Sequence, residues 1–425
     1  MLSDFLEKKI KTFWEDAGLR RYFHNTGWLF IGQASSLLAS FLAGVLVIRY
    51  LGPEDYGRVS YAIAIVSAFS FLASLGLDSV IARELVRTPE SVNSLLGTSF
   101  ILKILGGLLA AISSVAAVFF IEESNSVRLM AFLFSLTFLF QASSVIQVFF
   151  QAEVRSRFSV YAQLFAVFLT VTLKIIFICF HLPLVYLMLI YLLDSFWLAG
   201  GLFFMYHRQG GRVFSWFGDR SLARRLISAS WPLMFSSLSV YVYMKIDQIM
   251  IGRMLGETAV GQYAAAVKVS ESWYFLPVII CSSLFPAMVR AVKNGREAAK
   301  KRMRQLYIFL FLISFLGSTA LFFISSWAVI LLFGSGFLPA IPVLKILSWS
   351  GVGVFIGTAN YNYLAAKDAQ KLAFYISSAA SLLNIALNFL FIPRYGINGA
   401  AIATISSYYL VPLASLFWQS RQGEL

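Results

Sequence analysis

Charged residues are scarce in this 425-residue sequence. Asp, Glu, Lys and Arg make up 13% of it, whereas 59% of the residues are apolar. A soluble protein carries roughly 25% charged residues, most of them on its surface. The shortage therefore excludes a soluble enzyme, a transcription factor and a disordered scaffold. Since a membrane-spanning helix needs about 20 mainly apolar residues, the composition has room for about a dozen spans.

Residues that hold metals or drive catalysis are also few. The two cysteines, Cys179 and Cys281, lie in apolar runs, and the three histidines are far apart along the chain. This pattern indicates neither a disulfide framework nor a metal site. The sequence also contains no P-loop, zinc-protease or nucleophile-elbow motif. We therefore expect no cofactor, no metal and no enzymatic activity.

Apolar runs predict twelve transmembrane helices. The weakest division lies at His181-Leu182-Pro183, which separates two runs that together would be too long for one span. The predicted spans cover about residues 27–49, 59–82, 95–121, 128–150, 159–181, 184–206, 227–252, 260–289, 305–333, 341–364, 372–392 and 397–419.

Basic residues predict the orientation of these spans. Of the 34 Lys and Arg residues, 24 fall in one set of loops and 5 in the opposite set. Because positive residues are retained on the cytoplasmic side, both termini are expected in the cytoplasm and the protein in the cell (cytoplasmic) membrane. The net charge of +14 then reflects mainly orientation, and no nucleic-acid partner is expected.

A short pattern, R-x-L-G-x4-G, occurs twice in the chain. It follows the first span at residues 49–57 and the seventh span at residues 253–261, an offset of 204 residues. Both loops fall on the outer side, as a parallel repeat requires. The repeat predicts two six-helix lobes, with an interfacial amphipathic helix before them. The predicted segments are the helix 1–26, the N-terminal lobe 27–206, a basic linker 207–226 and the C-terminal lobe 227–425.

Five lysines lie inside the predicted spans, where a charge is costly unless it faces a cavity or a partner. If they are luminal, the cavity is net positive and suits a phosphate-bearing substrate, because lysine binds phosphate as a point charge. The candidate substrate-binding residues are Lys174, Lys245, Lys268, Lys103 and Lys345; the candidate proton-coupling residues are Glu271, Asp247 and Asp194; and the polar lumen is assigned to Gln147, Gln151, Asn384 and Asn388.

Other interpretations of these residues stay open. Lys103 and Lys345 lie near span ends and can extend to a headgroup. Lys268 and Glu271, three residues apart, can pair with each other. Ser, Asn and Gln can simply bond neighbouring helices. Aromatic rings in the second half offer surface for stacking on sugars, although lipid-facing rings are common; they are Tyr241, Trp273, Tyr274, Trp349, Tyr361 and Tyr363.

Four stretches resemble the polysaccharide-type (Wzx-like) flippases of the MOP exporter superfamily. They read RYLGPEDYGR at 49–58, LGLDSVIAREL at 75–85, DQIMIGRMLGETAVGQYAAA at 247–266 and IPRYGINGAAIAT at 392–404. The resemblance implies two six-helix lobes, a V-shaped central cavity and alternating access. It also implies that a polyprenyl-diphosphate-linked oligosaccharide moves from the cytoplasmic to the outer leaflet for surface polysaccharide biosynthesis, coupled to a gradient of H⁺ or Na⁺.

The expected partners are the lipid-linked oligosaccharide, membrane lipids and proteins of polysaccharide polymerisation or export. Two other functions remain as alternatives: a MATE-like multidrug/cation antiporter on the same fold, and a scaffold in a synthesis complex. An antiporter of that kind needs a carboxylate in the N-terminal lobe lumen. The first span, residues 27–49, contains no Asp or Glu, which favours the flippase.

Overall fold

Helices make up almost all of the described chain. The structure is a computed structural model that describes residues 17–367 and 369–421, without the side chains of residues 17–26, 29, 31, 89, 286 and 370. The α-helices are α1 (Ala17–Ser67), α2 (Ser70–Ser74), α3 (Asp78–Arg87), α4 (Val92–Ile121), α5 (Asn125–Ser135), α6 (Thr137–Phe140), α7 (Ser144–Ala152), α8 (Arg157–Cys179), α9 (Val185–Arg208), α10 (Arg220–Leu255), α11 (Glu257–Glu271), α12 (Phe275–Lys293), α13 (Arg296–Phe333), α14 (Ala340–Leu347), α15 (Ser350–Ala366) and α16 (Gln370–Arg421).

Long helices account for the predicted spans. Ten helical segments of the described residues are long and apolar enough to cross a membrane. Two of them contain a backbone break, at Gly52 in α1 and at Gly396 in α16. Counting each of these as two helices gives the twelve predicted segments. The predicted division near residue 182 is confirmed, because α8 ends at Cys179 and α9 begins at Val185. The chain is an all-α polytopic membrane protein, as predicted.

Several predicted boundaries differ from the structure. The second predicted span, 59–82, is interrupted where α1 ends and again before α3 begins. Both ends of the linker 207–226 are helical, because α9 continues to Arg208 and α10 begins at Arg220. The interfacial helix predicted for residues 1–26 lies mostly outside the described residues, and from Ala17 the chain is already part of α1.

Asp219 starts α10 by capping its exposed amides. Its carboxylate accepts hydrogen bonds from the Ser221 hydroxyl at 2.8 Å, the Leu222 amide at 3.2 Å and the Ser221 amide at 2.7 Å. These three hydrogen bonds hold the pKa of Asp219 below its usual value, and the bond from the Ser221 hydroxyl has the largest effect. The Asp219 amide in turn donates to Thr98 at 2.9 Å, which attaches the linker to α4.

Contacts divide the chain into two compact units. The first unit comprises Met1–Ala43, Leu72–Ala110 and Leu136–Trp231, and the second comprises Gly44–Phe71, Ala111–Ser135 and Pro232–Leu425. The divisions therefore fall inside α1, α2, α4 and α10 and between α5 and α6. These units do not coincide with the predicted lobes 27–206 and 227–425, whose boundaries remain a prediction.

The repeated sequence pattern has a repeated backbone conformation. Gly52 has φ 73° and ψ 178°, and Gly256 has φ 88° and ψ 177°. Such positive φ angles are closed to most residues with a Cβ atom, so glycine is required at both positions. Pro53 and Glu257 follow and begin the next helical segments, where a missing amide or a negative charge is well tolerated. The first glycine of each pattern is therefore a helix break.

The second glycine of each pattern lies where the two repeated segments touch. A Cβ atom at Gly57 would be 1.8 Å from the carbonyl oxygen of Glu257, and a Cβ atom at Gly261 would be 1.8 Å from that of Pro53. Pro53 and Glu257 occupy equivalent positions, so the contact is reciprocal. We call the contact of these four residues the repeat crossing. Only glycine allows the two backbones to approach this closely.

The arginines of the pattern make a reciprocal contact as well. Arg49 donates to the carbonyl of Leu331 in α13 at 3.2 Å, and Arg253 donates to the carbonyl of Ile121 at the end of α4 at 2.6 Å. Each arginine thus binds a helix from the other half of the sequence. Together with the repeat crossing, these bonds explain why Gly44–Phe71 and Ala111–Ser135 belong to the second unit.

Candidate functional site

The first unit contains a small polar cavity between α1, α8 and α9. Its volume is about 200 Å³, and its polar lining consists of Gln33, Ser36 and Ser40 from α1, Gln163 from α8 and Asp194 from α9. The three α1 residues were not among the candidates from the sequence. Their spacing of three and then four residues places them on one helix face, and this periodicity is the signal that could have found them.

Lys174 lies in the same unit, one helical turn beyond Thr170 on α8. Its side chain is buried, and its ammonium group lies 4.9 Å from the centre of the Tyr191 ring. Asp194 accepts a hydrogen bond from Thr170 at 2.6 Å. Among the described residues Lys174 makes no ion pair: its ammonium faces the Tyr191 ring, and the Asp194 carboxylate acts on it electrostatically from beyond ion-pair distance. This is an unusual environment for a membrane-embedded cation.

Lys103 has a different environment from the one expected for a cavity. It is fully buried in α4, and its ammonium group donates to the carboxylate of Asp78 and, at 2.6 Å, to the hydroxyl of Ser144. Its charge is thus neutralised by Asp78 of α3, while Ser144 of α7 adds a hydrogen bond, and it does not extend to a headgroup. The structure gives this lysine a packing role between three helices of the first unit.

Lys245 and Glu271 form an ion pair in the second unit. The Lys245 ammonium lies 3.0 Å and 2.8 Å from the two carboxylate oxygens of Glu271, and both side chains are about one quarter exposed, at 29% and 25%. The pair links α10 to α11. Glu271 is therefore bound by Lys245, which lies on another helix. Lys268, which lies on the same helix as Glu271, is not its only basic neighbour.

Asp247 is buried beside that pair. Its carboxylate accepts hydrogen bonds from the Tyr263 hydroxyl, from Thr404 at 2.9 Å and from the Gln248 amide at 2.7 Å. Asp247 and Glu271 line the same narrow space in the second unit. The two carboxylates predicted for coupling are thus close neighbours; Asp247 accepts from three residues, and Glu271 is paired with Lys245.

The remaining two lysines also lie in the second unit. Lys268 lies across the backbone of Gly44, because a Cβ atom there would be 2.6 Å from both its Cε and Nζ atoms. The absence of a side chain at Gly44 leaves the room that this lysine occupies. The Lys345 ammonium lies 5.8 Å from the centre of the Phe322 ring. Both remain candidates for substrate binding.

The amide residues predicted to line a lumen have mixed positions. Asn384 and Asn388 are fully buried in α16, and the Asn388 amide donates to Asn384 at 2.8 Å. This bond lies within α16 and joins no neighbouring helix, and the Asn384 Nδ2 and Asn388 Oδ1 atoms have no hydrogen-bond partner among the described residues, so both remain candidates. Gln147 is half-buried and Gln151 is exposed on α7, so they are the accessible members of the set.

A larger cavity lies within the second unit, lined mainly by α10, α12, α15 and α16. It has a volume of about 590 Å³ and is lined by tyrosine, serine, asparagine and aliphatic residues. No Asp, Glu, Lys, Arg or His occurs among its described lining residues. We call it the neutral cavity. Of the aromatic residues singled out in the sequence, Tyr274 and Tyr361 line it.

Metal-binding clusters do not occur in the part of the chain that the structure describes. No group of three or more His, Cys, Asp or Glu residues is arranged to hold an ion there. The polar groups described above are suited to binding a substrate or a proton.

The fold is that of transporters of the MOP superfamily. A multidrug MATE transporter of this superfamily, in an inward-facing conformation, aligns over 91% of this chain and 94% of its own with a TM-score of 0.77 at 15% identity. Residues 23–292 match the family described as polysaccharide biosynthesis protein, and residues 232–390 match the MatE family. Because the first match covers more than half of the sequence, the chain belongs to the polysaccharide biosynthesis protein family. The predicted resemblance is confirmed.

Proteins of similar sequence also include some that are named for glycan or polysaccharide biosynthesis. The chain is 28% identical over 191 residues to a probable low-salt glycan biosynthesis flippase, Agl15, of Haloferax volcanii, covering 44% of this chain and 40% of that protein. It is 20% identical over 413 residues to the capsular polysaccharide biosynthesis protein CapF of Staphylococcus aureus, covering 93% and 99%. The chain spans about two fifths of the length of the first curated relatives that it matches.

Proposed function

We propose that this protein is a flippase for a polyprenyl-diphosphate-linked oligosaccharide. It moves this lipid from the cytoplasmic to the outer leaflet by alternating access, for surface polysaccharide biosynthesis. Membership of the polysaccharide biosynthesis family and similarity to a relative named as a glycan biosynthesis flippase support the proposal. The 24 basic residues in one set of loops support cytoplasmic termini. Proteins of polymerisation or export remain expected partners.

The environment of Lys174 carries this proposal. Lys174 is buried within a spanning helix and makes no ion pair among the described residues: its ammonium faces the Tyr191 ring, and the Asp194 carboxylate, which accepts from Thr170, acts on it from beyond ion-pair distance. A phosphate group would supply an anion in direct contact, and lysine binds phosphate as a point charge. Lys268 and Lys345 of the second unit offer further cations for the same substrate class. An organic cation would be repelled by these residues.

Carboxylates of both units are proposed to couple flipping to an ion gradient. Asp194, Asp247 and Glu271 lie within spanning helices, where a change of protonation or the binding of Na⁺ alters the local charge balance. Glu271 is the strongest candidate, because loss of its charge would release Lys245 to another anion. No other cofactor is proposed.

The alternative function is a MATE-like multidrug/cation antiporter. The match of residues 232–390 to the MatE family and the structural similarity to a MATE transporter favour it. Against it, the described part of the α1 segment before Gly52 carries no acidic residue. Asp194, the single acid that lines the polar cavity of the first unit, is compatible with either function.

Reconstituted vesicles test the proposal. Purified protein is incorporated into vesicles with a fluorescent polyprenyl-diphosphate oligosaccharide, and the labelled lipid that reaches the opposite leaflet is measured with and without a pH or Na⁺ gradient. Lys174→Gln should slow flipping about 10- to 100-fold, since a charged hydrogen bond contributes about 1.5–3 kcal/mol. Lys371→Gln, at an exposed position near the start of α16, is the matched control.

Two results would contradict the proposal. Equal flipping by wild type, Lys174→Gln and protein-free vesicles would remove the lipid-linked oligosaccharide as substrate. Gradient-driven uptake of a fluorescent organic cation by the wild type, without any lipid flipping, would assign the protein to the MATE-like class instead.

A further inference from the structure

The neutral cavity differs chemically from the lysine environments. Its volume of about 590 Å³ is within the range of small-molecule binding sites, which is about 300–1,000 Å³. Because no charged side chain occurs among its described lining residues, it offers a diphosphate no counter-ion. If the substrate's phosphates are held by lysines, this cavity must take another part of the molecule or none of it.

Tyrosines give the cavity flat aromatic surfaces. Tyr243 and Tyr408 pack edge to face with ring centres 5.7 Å apart, and Tyr274 is held by a hydrogen bond to Ser350. Tyr361 also lines the cavity and is 54% exposed, so its ring remains available to a ligand. An aromatic face binds the apolar face of an uncharged ring, while the phenol hydroxyl can still form a hydrogen bond.

Serine and threonine hydroxyls of the lining offer mainly acceptors. Ser282 donates to the carbonyl of Ile279 at 3.0 Å, Ser377 to that of Ala373 at 2.9 Å, and Thr358 to that of Val354 at 2.8 Å. Since each hydroxyl has one proton, what remains for a ligand is the oxygen lone pairs. The hydroxyl groups of a sugar donate to such oxygens, whereas phosphate oxygens only accept.

Asn360 also lines the cavity, and one atom of its amide is unpaired within the described chain. Its Oδ1 accepts from Gln419 at 3.0 Å and from the Tyr307 hydroxyl, while its Nδ2 has no partner among the described residues. The residue is 1% exposed, and an unpaired buried amide is costly. Because this nitrogen has almost no accessible surface, the tyrosine rings and the hydroxyl oxygens are the groups that a ligand in the cavity can contact.

We infer that the neutral cavity binds an uncharged pyranose unit of the transported oligosaccharide, stacked on Tyr361. This inference rests on the proposed function, because it names where the glycan of that substrate binds. The two parts of the substrate's head group then bind in different places. Lysines hold the diphosphate, and the neutral cavity holds a sugar that carries no carboxylate or phosphate.

Saturation-transfer difference NMR on the full chain in nanodiscs tests this binding directly. The probes are methyl β-glucoside and methyl N-acetyl-β-glucosaminide, with glucuronic acid and pyrophosphate as charged comparisons and farnesol as a prenyl-chain comparison. The neutral glycosides should give signals that Tyr361→Ala weakens about tenfold. Tyr375→Ala removes a tyrosine that is 66% exposed and does not line the cavity, and it should leave the signals unchanged.

Three results would overturn the inference. One is equal glycoside binding by wild type and Tyr361→Ala, and a second is glucuronic acid binding as strongly as the neutral sugars at a Tyr361-dependent site. The third is displacement of the glycosides by farnesol, or farnesol binding alone that depends on Tyr361. Flipping is measured separately: flipping without glycoside binding refutes only this inference, and glycoside binding without flipping refutes only the proposed function.

Discussion

Substitution of Gly57 or Gly261 by alanine should destabilise the protein through the repeat crossing. The added Cβ atom would lie 1.8 Å from a backbone carbonyl oxygen in either variant. An ordinary contact needs at least 3.4 Å, so the two segments must move apart by about 1.6 Å. No side-chain rotation can relieve the overlap, because the opposing atoms belong to the backbone.

The same movement also affects a neighbouring ion pair. Arg58 donates to Glu257 at 2.7 Å across the repeat crossing, and a displacement of this size would lengthen that bond beyond hydrogen-bonding distance. We therefore expect each single variant to lose about 1–3 kcal/mol of unfolding free energy. A single movement that separates the two segments makes room for both added Cβ atoms. The double variant should accordingly lose much less than the sum of the two, with a coupling of about 1–2 kcal/mol.

Equilibrium unfolding in mixed detergent micelles, followed by tryptophan fluorescence, measures these differences. Gly200→Ala is the control, because a Cβ atom there meets nothing within 4 Å in the middle of α9. It should be neutral or slightly stabilising, since alanine favours helix over glycine. Single variants as stable as Gly200→Ala, or a double variant whose loss equals the sum of the single losses, would refute the reciprocal contact.

Three further predictions concern charged residues. The Lys245→Ala variant should lose stability, and the double variant Lys245→Glu/Glu271→Lys, which exchanges the two charges, should keep most of it in the same unfolding assay. If the exchange does not restore stability, the ion pair has no structural role. Asp78→Asn should be tolerated only when Lys103 is also replaced, by Met, because the single change leaves a fully buried ammonium without its carboxylate, whereas Asp78 itself is 54% exposed; equal folded yields of both variants would contradict this. Asp219→Asn should lower the stability of the protein near neutral pH. The difference from wild type should disappear as the pH falls through the lowered pKa of Asp219, because a group whose pKa is lowered by folding stabilises the fold only while it is ionised. A stability difference that does not depend on pH would refute this.

Much of the architecture could be predicted from the sequence, because spanning helices are set by the length of apolar runs. The repeated glycines predicted turns, and Gly52 and Gly256 do break their helices. The pattern did not predict that Gly57 and Gly261 face each other. A repeat states that two segments are alike, and it contains no information about which of their surfaces meet.

The buried charges show the same limit. Depth within a span was predictable for Lys103 and Lys245, since it depends only on sequence position. Their partners were not, because Asp78 and Glu271 come from other helices. The spacing of Lys268 and Glu271 indicated a pair on one helix, and it gave no sign that Lys245 on α10 binds the same carboxylate.

The repeat crossing has the symmetry of a homodimer interface. In such an interface, each partner offers the same surface and residue i meets residue j in both directions, as Gly57 meets Glu257 and Gly261 meets Pro53. A chain segment with one copy of the pattern therefore presents a self-complementary surface. The position equivalent to Arg58 is Gln262, whose amide donates to Gly336 at 2.7 Å, so the two copies differ in sequence beside a contact that is symmetric.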